Sequence, residues 1–364
     1  MATLTNLDRL RYVAGQSARV AWLSTEYLIA HRLSTGAMAD RRAAAPKPPT
    51  SKTASSPAGP QPTQRLTRAD LYQDIADLMT RDLGNIARGD YRTNIADVAP
   101  TPALLADTAR FFADLPNVNR RRRRKTGGQD VNATAPETLP RYYRQNFHFQ
   151  TDGYLSADSA RLYDHQVEVL FGGAGDAMRR QTIVPIAAYL RAVKPPHQTQ
   201  LLDVGCGTGQ LLCRLADAYP RLALHGADLS QPYLAEARRR LDRQSARATL
   251  LQAAGEALPL PDASIDVITS VFLLHELPRP VRLAVFAEMR RVLRPGGLLV
   301  LTDSLAASDH PPYDPLLRGF PIAFHEPYYH DYLTHDLTGA LIIAGFEPAP
   351  PTRAFLSKVI TAQG

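Results

Sequence analysis

The sequence predicts an α/β fold, a seven-stranded sheet flanked by helices and preceded by an N-terminal helical extension. Three observations predict it. From residue 199 onward, short apolar runs alternate with amphipathic stretches, the pattern of a parallel sheet with crossover helices. The first run leads into a glycine-rich turn, LLDVGCGTG at residues 201–209. Ahead of residue 199, apolar residues recur at helical spacings.

Residues 1–36 form an N-terminal segment, with one helix expected over residues 4–34. Its apolar stripe is Leu7, Leu10, Ala14, Ala18, Ala21 and Leu28. Arg9, Arg11, Arg19 and Arg32 punctuate it, and Trp22 and Tyr27 are its large aromatics. The first reading is a helix docked on the main body. The second is peripheral membrane contact through this helix, suggested by its arginines and tryptophan. A transit peptide is the third, since Asp8 and Glu26 are its only acids. Residues 37–65 are rich in Ala, Pro, Ser and Thr and read as a flexible linker.

Residues 66–116 form a helical segment. A helix over 67–94 carries Leu71, Ile75, Leu78 and Met79 on one face, with Thr67 as its cap, and a shorter helix covers 102–115. Residues 117–138 contain Arg120–Lys125, six consecutive cations, and no apolar period. They read as a basic disordered loop. Residues 139–198 form a helical lid or cap. It opens with an aromatic-dense stretch at 142–163 and continues through a helix after Ser156 or Asp158 and another over 177–193.

Residues 199–364 form the main domain. Strands are expected at 199–204, 222–228, 248–252, 265–271, 297–303, 346–349 and 353–361.

The chain has 364 residues, with 42 Lys and Arg against 35 Asp and Glu, for a net charge of +7. Most of that excess sits in the Arg120–Lys125 run. The remainder is nearly balanced, which speaks against a nucleic-acid partner, because such proteins spread cations over a face. Cys206 and Cys213 are the two cysteines, and neither stands at a metal-ligand spacing, so no metal is expected. So few cysteines suit a reducing compartment, and a cytoplasmic location is expected. No apolar run is long enough to span a membrane. The oligomeric state is not legible.

The glycine turn carries the chemistry. A dinucleotide site would require G-x-G-x-x-G, but Gln210 stands where its third glycine would be. Asp203, at the end of the first strand, would repel a diphosphate and suits a ligand bearing an ammonium group. S-adenosylmethionine carries one on its methionine end, together with a carboxylate that the glycine-loop N–H groups could bind. Asp228, ending the second strand, suits ribose hydroxyls.

These segments resemble the class I S-adenosylmethionine-dependent methyltransferases. LLDVGCGTG resembles their first motif and GADLS (226–230) their second. LQAAGEALPLPDASIDVITSVFLLHEL (251–277) is similar to their third and fourth, and RVLRPGGLLVLTD (291–303) to the helix–turn–strand that comes after the fourth. The resemblance implies a Rossmann-like seven-stranded sheet whose last strand is antiparallel beside the fifth. It implies that Asp203, Gly205, Cys206 and Gly207 hold the methionine end of S-adenosyl-L-methionine. Asp228 would then bind the ribose, with Leu229 against the adenine and Gly255 and Glu256 along its edge. Relatives place an acid two positions before Glu256, where this chain has Ala254. The phrases FHFQTDGYLS, LYDHQVEVLF and FHEPYY also resemble an uncharacterised bacterial and plastid group of these enzymes, which names no substrate.

Aromatic and histidine clusters would complete such a site. His275 follows the fourth strand, and His325, Tyr328, Tyr329 and His330 follow the fifth. Catalytic candidates are His275 and His325 as a base, and Tyr328 in the acceptor pocket. H-E-P-Y-Y at 325–329 does not match the H-E-x-x-H of zinc proteases. The expected activity is methyl transfer to a small apolar or aromatic metabolite, as the resemblance to quinone and lipid methyltransferases implies. A protein or RNA methyltransferase, or a catalytically silent S-adenosylmethionine-binding module, is the alternative.

Overall fold

The computed structural model describes residues 4–43, 66–92, 101–125, 131 and 135–364, with the backbone alone described over 35–43. The linker expected at 37–65 lies outside the described residues, except that 37–43 continue the first helix.

The main domain is a three-layer sandwich. Its strands are β1 (Gln200–Val204), β2 (Ala223–Asp228), β3 (Thr249–Gln252), β4 (Ile265–Val271), β5 (Leu293–Ser304), β6 (Glu347–Pro348), β7 (Thr352–Ala354) and β8 (Ser357–Gln363). The sheet order is β3-β2-β1-β4-β5-β8-β6, with β7 pairing β8. Strands β1 to β5 are parallel and β8 runs antiparallel to β5. The sheet has eight strands where seven were expected. The stretch expected to be one final strand reverses at Phe355, whose φ is 56°, and becomes the hairpin β7–β8.

Alternation along the central strands supplies both faces of the core. Leu202, Val204 and Ile268 point to one side. There they pack with Val285, Phe286 and Met289 of a helix spanning Arg279–Val292. Leu201, Val267 and Val300 point to the other, against Ile183, Ile186 and Leu190 of the helix Ile183–Ala192 and Leu211 and Leu215 of Gln210–Ala218.

The extension is built from α1 (Asn6–Ala43), α2 (Arg68–Arg88) and α3 (Pro102–Arg124). Helix α2 starts on a capping box at Thr67 and Asp70, and stops at Gly89 in the left-handed conformation. The docked face of α1 differs from the expected stripe. Leu7 and Leu10 are 53% and 67% exposed, whereas Tyr12, Gln16, Leu23, Glu26 and Ala30 are buried. The buried set won because its polar members find partners. Tyr12 donates to Asp82, Glu26 meets His165 Nε2 at 2.8 Å, and Trp22 Nε1 donates to Thr108 Oγ1 at 3.2 Å. The tryptophan that suggested a membrane surface is thus engaged with α3. Among the described residues, no helix is long and apolar enough to cross a membrane.

Asp82 is the anchor of the extension. It is fully buried and accepts from Arg180 at 2.9 and 2.6 Å, from Tyr91 at 2.5 Å, and from Tyr12.

The arginine run corrects a second expectation. Residues 117–124, read as the start of a disordered loop, continue α3 to Arg124, and Lys125 closes the helix in the left-handed conformation. Arginine is a good helix former, and the run has partners. Arg121 donates to the carbonyl of Phe149 at 3.1 Å and to Thr151 at 3.0 Å, and Arg122 donates to the carbonyl of Ala323 at 3.0 Å. Residues 126–130 and 132–134 of that expected loop lie outside the described residues.

The segment read as a helical lid begins with turns, including one 3-10 turn at Phe147–Phe149. It becomes helical only at α4 (Ala157–Leu170), which Ser156 caps. Two short helices, α5 (Gly175–Arg180) and Ile183–Ala192, replace the single helix expected over 177–193.

Candidate active site

The C-terminal ends of the parallel strands converge on one crevice, as open α/β sheets require. Asp203 on β1 is 2% exposed and accepts from Thr269 Oγ1 at 2.7 Å. Burial pushes its carboxyl up to about 7, against that hydrogen bond. Asp228 ends β2 and accepts from the N–H groups of Gly207 (2.8 Å) and Ser230 (2.7 Å). Burial still raises it to about 6.

The turn from β1 adopts positive φ at Gly207 (53°) and Gly209 (75°). At Gly209 a Cβ would stand 2.9 Å from Ala237 Cβ, so this glycine also lets two helices approach. The N–H groups of Gly205 and Cys206 both donate to the carbonyl of Ala227, at 2.8 and 3.0 Å, and that of Gly207 is taken by Asp228. These N–H groups, expected to face a ligand carboxylate, are thus hydrogen-bonded within the protein.

Arg179, absent from the sequence candidates, brings a cation to the crevice. It is 7% exposed, lines the crevice beside Asp203, and lies over the Phe272 ring at 5.8 Å. Among the described residues its guanidinium makes no hydrogen bond or ion pair. Its position on α5, outside the motif, gave no sequence signal.

The crevice is also lined by Gly205, Cys206, Gly207, Leu229, Gly255 and Glu256. Tyr142 and Tyr154 close it from the aromatic segment. Tyr142 donates to Glu256 Oε1 at 2.6 Å, and Tyr154 to Glu276 Oε1 at 2.6 Å. Cys206 is buried, and burial raises its thiol, which disfavours the thiolate that a nucleophile or redox group needs.

A second cavity, of about 560 Å³, lies between the extension and the main domain. Its lining is mostly apolar, and includes Leu28 of α1, Leu71 and Ile75 of α2, and Leu317 and Phe320 of the helix Asp314–Ala323. It shares Tyr163, Phe272 and Glu276 with the first crevice. His275 lines it and is buried, with Nδ1 2.6 Å from Asp303 Oδ1. Burial opposes charge on this ring, but Asp303 outweighs it and raises the imidazole to about 9.

The other two catalytic candidates are placed elsewhere. His325 Nε2 meets Gln145 Oε1 at 3.1 Å, and Tyr328 donates to the Tyr142 carbonyl at 3.3 Å. Neither lines either of these two cavities. Tyr329 does, with its hydroxyl 2.6 Å from Ser304 Oγ and its ring edge-on to His275. Asp303 and Glu276 also escaped the sequence reading. Asp303 sits at the end of a parallel strand, which was a usable signal.

Residues 201–297 match the family model described as a methyltransferase domain. Over 149 residues the chain is 33% identical to the demethylmenaquinone methyltransferase of Thermus thermophilus, a match covering 41% of this chain and 64% of that protein. Over 161 residues it is 33% identical to the malonyl-[acyl-carrier protein] O-methyltransferase of Geobacter sulfurreducens, covering 43% and 58%. It is 35% identical over 142 residues to a ubiquinone/menaquinone biosynthesis C-methyltransferase of Methylobacterium nodulans, covering 38% and 53%. The chain thus spans 53% to 64% of the length of these curated relatives. Among solved structures, PigF with SAH is similar at a TM-score of 0.48 and 18% identity, covering 71% of this chain and 72% of PigF. Residues 201–297 thus form a methyltransferase domain, similar to those of the S-adenosylmethionine-dependent methyltransferases.

Proposed function

We propose that this protein methylates a small apolar or aromatic metabolite with S-adenosylmethionine as donor. The observation that carries the acceptor class is the apolar cavity of about 560 Å³ that shares Tyr163, Phe272 and Glu276 with the donor crevice. A cavity roofed by α1 and α2 suits a small molecule and excludes a folded RNA or protein surface.

The crevice fits the donor chemically. Asp203 would pair with the ammonium and Arg179 with the carboxylate of the methionine end. Asp228 has lone pairs left for ribose hydroxyls beyond the two N–H groups it already serves. Leu229 would lie against the adenine, and Gly255 and Glu256, braced by Tyr142, along its edge. When bound, S-adenosylmethionine supplies an electrophilic methyl on a sulfonium.

The chain's own residues do the rest. Asp303 can only accept, so His275 donates to it from Nδ1; because the ring is raised to about 9, only its neutral fraction, which grows as pH rises towards that value, leaves Nε2 open to take a proton from the acceptor. Tyr329 and Tyr332 pack edge-on against the imidazole and hold its plane. Phe272 and Tyr163 exclude water between the two cavities.

The test is incubation of cell extract with isotopically labelled methyl donor, with and without the protein. Label is expected in an organic-soluble small molecule. Label confined to RNA or protein, or no calorimetric binding of S-adenosylhomocysteine, overturns the reading.

A further inference from the structure

We propose that His148, Glu276 and Glu326 form a divalent-cation site at the boundary of the apolar cavity, suited to Zn²⁺ or Mn²⁺. The sequence reading expected no metal because the three donors come from distant segments. His148 lies on the 3-10 turn Phe147–Phe149, Glu276 in the turn after β4, and Glu326 just before the helix Tyr329–Leu333.

The geometry suits coordination. One ligand atom from each residue can be chosen so that all lie within 4.8 Å of one another. His148 Nδ1 is 3.0 Å from Glu326 Oε1, and His148 Nε2 is 3.6 Å from Glu276 Oε1, so the ring stands between the two carboxylates and would give one of its nitrogens to an ion. An ion bound at about 2.0–2.2 Å from each donor holds its ligands roughly 3–4 Å apart, so one glutamate must swing towards the nitrogen that the other already faces. His275 Nε2, 4.0 Å from Glu276 Oε1, stands next in line.

A second, independent observation points into this cluster. Glu326 is 3% exposed, yet neither of its carboxylate oxygens accepts a hydrogen bond; Oε1 has the ion pair with His148 Nδ1 at 3.0 Å. A buried carboxylate left without hydrogen bonds is expensive. A divalent cation would give it the partner it lacks.

One imidazole with two carboxylates favours zinc or manganese over magnesium and calcium, which prefer all-oxygen shells. Three protein donors leave coordination positions for a hydroxyl or carbonyl oxygen of the acceptor. That last role rests on the methyl-transfer reading; the binding itself does not.

The experiment is equilibrium dialysis of the chelator-treated full chain against ZnCl₂ and, separately, MnCl₂, with bound metal counted by mass spectrometry. About one equivalent is expected, and Glu326→Gln and His148→Asn should each weaken uptake at least about tenfold. Asparagine is chosen because it tolerates the positive φ of His148, 57°. Circular dichroism and S-adenosylhomocysteine binding report whether each variant is folded. Should either fail to fold, pulsed electron paramagnetic resonance of Mn²⁺ on the unaltered protein decides, with imidazole-nitrogen coupling expected. No uptake, uptake undiminished in both folded variants, or no nitrogen coupling overturns the proposal and leaves His148 as an imidazolium clamp between two glutamates. Stoichiometric metal without methyl transfer to any acceptor would keep this site and sink the proposed function.

Discussion

The Nδ1 atom of His275 lies 2.6 Å from Asp303 Oδ1, joining the turn after β4 to the end of β5. Asp303 also accepts the N–H of Leu274 at 2.7 Å through its other oxygen, so one carboxylate sets both the turn and the ring. Replacing Asp303 by Asn removes the charge and the preferred tautomer. The turnover rate should fall by about 10²–10⁴-fold, and His275→Ala should match it. Donor affinity should stay within about twofold. Steady-state kinetics with the identified acceptor check this, and an unchanged rate in both variants refutes the base assignment.

Donor binding should depend on pH through Asp203. Its carboxyl is raised to about 7, so it is largely neutral below that value and charged above it. An ammonium-bearing ligand needs the charged form. S-adenosylhomocysteine should therefore bind more tightly at pH 8 than at pH 6, by up to about tenfold per pH unit below the transition. Asp228, raised to about 6, acts in the same direction. Asp203→Asn should bind weakly and lose most of this slope in calorimetry. The same shift acts oppositely on the ligand-free fold. A raised carboxyl binds its proton more tightly when folded, so its stabilising contribution is present below 3.8 and is lost as pH rises to about 7.

Arg179→Met should separate the donor's two ends. It keeps most of the volume over Phe272 and removes the guanidinium. S-adenosylhomocysteine affinity should fall by about 10- to 100-fold, in keeping with a lost charge-assisted pair. Adenosine, which lacks the amino-acid tail, should bind as before. Equal losses for both ligands would mean that Arg179 only supports the fold.

The apolar cavity can be narrowed from Gly319, an exposed residue of its lining where a Cβ would meet nothing within 4 Å. Gly319→Leu places a branched side chain at that edge and also improves helix propensity. The acceptor KM should rise at least about tenfold, while the fold and donor affinity hold. An unchanged KM would place the acceptor elsewhere.

Asp82→Ala should unseat the extension. It removes one of the two carboxylates that Arg180 engages, leaving Asp176, and frees the hydroxyls of Tyr12 and Tyr91. Denaturant titration should show a loss of about 3–5 kcal/mol. The acceptor site should fail before the donor site, because α1 and α2 line only the former.

The motif strand, glycine turn and second strand were legible because their chemistry is local. Backbone hydrogen bonding fixes where β1 ends, and a carboxylate at that point can be read within one short peptide. The same holds for the alternation that set β1 to β5 and for the caps at Thr67 and Ser156. What failed was whatever depends on a neighbour far along the chain. Helix α1 offered two faces, and the more apolar one by spacing, with Leu7 and Leu10, lost to the face of Tyr12 and Glu26, whose partners lie on α2, α3 and α4. The arginine run looked unpaired until Thr151 and the carbonyls of Phe149 and Ala323 came beside it.

The sequence by itself determined the sheet, the donor crevice and the candidacy of Asp203, Asp228 and His275, since each derives from strand ends and their order. Only the tertiary structure decided that Arg179 lines the crevice beside Asp203, that Asp303 backs His275, and that His148, Glu276 and Glu326 meet. Those pairings depend on packing between segments remote in sequence, and no local periodicity encodes which buried charges end up as neighbours.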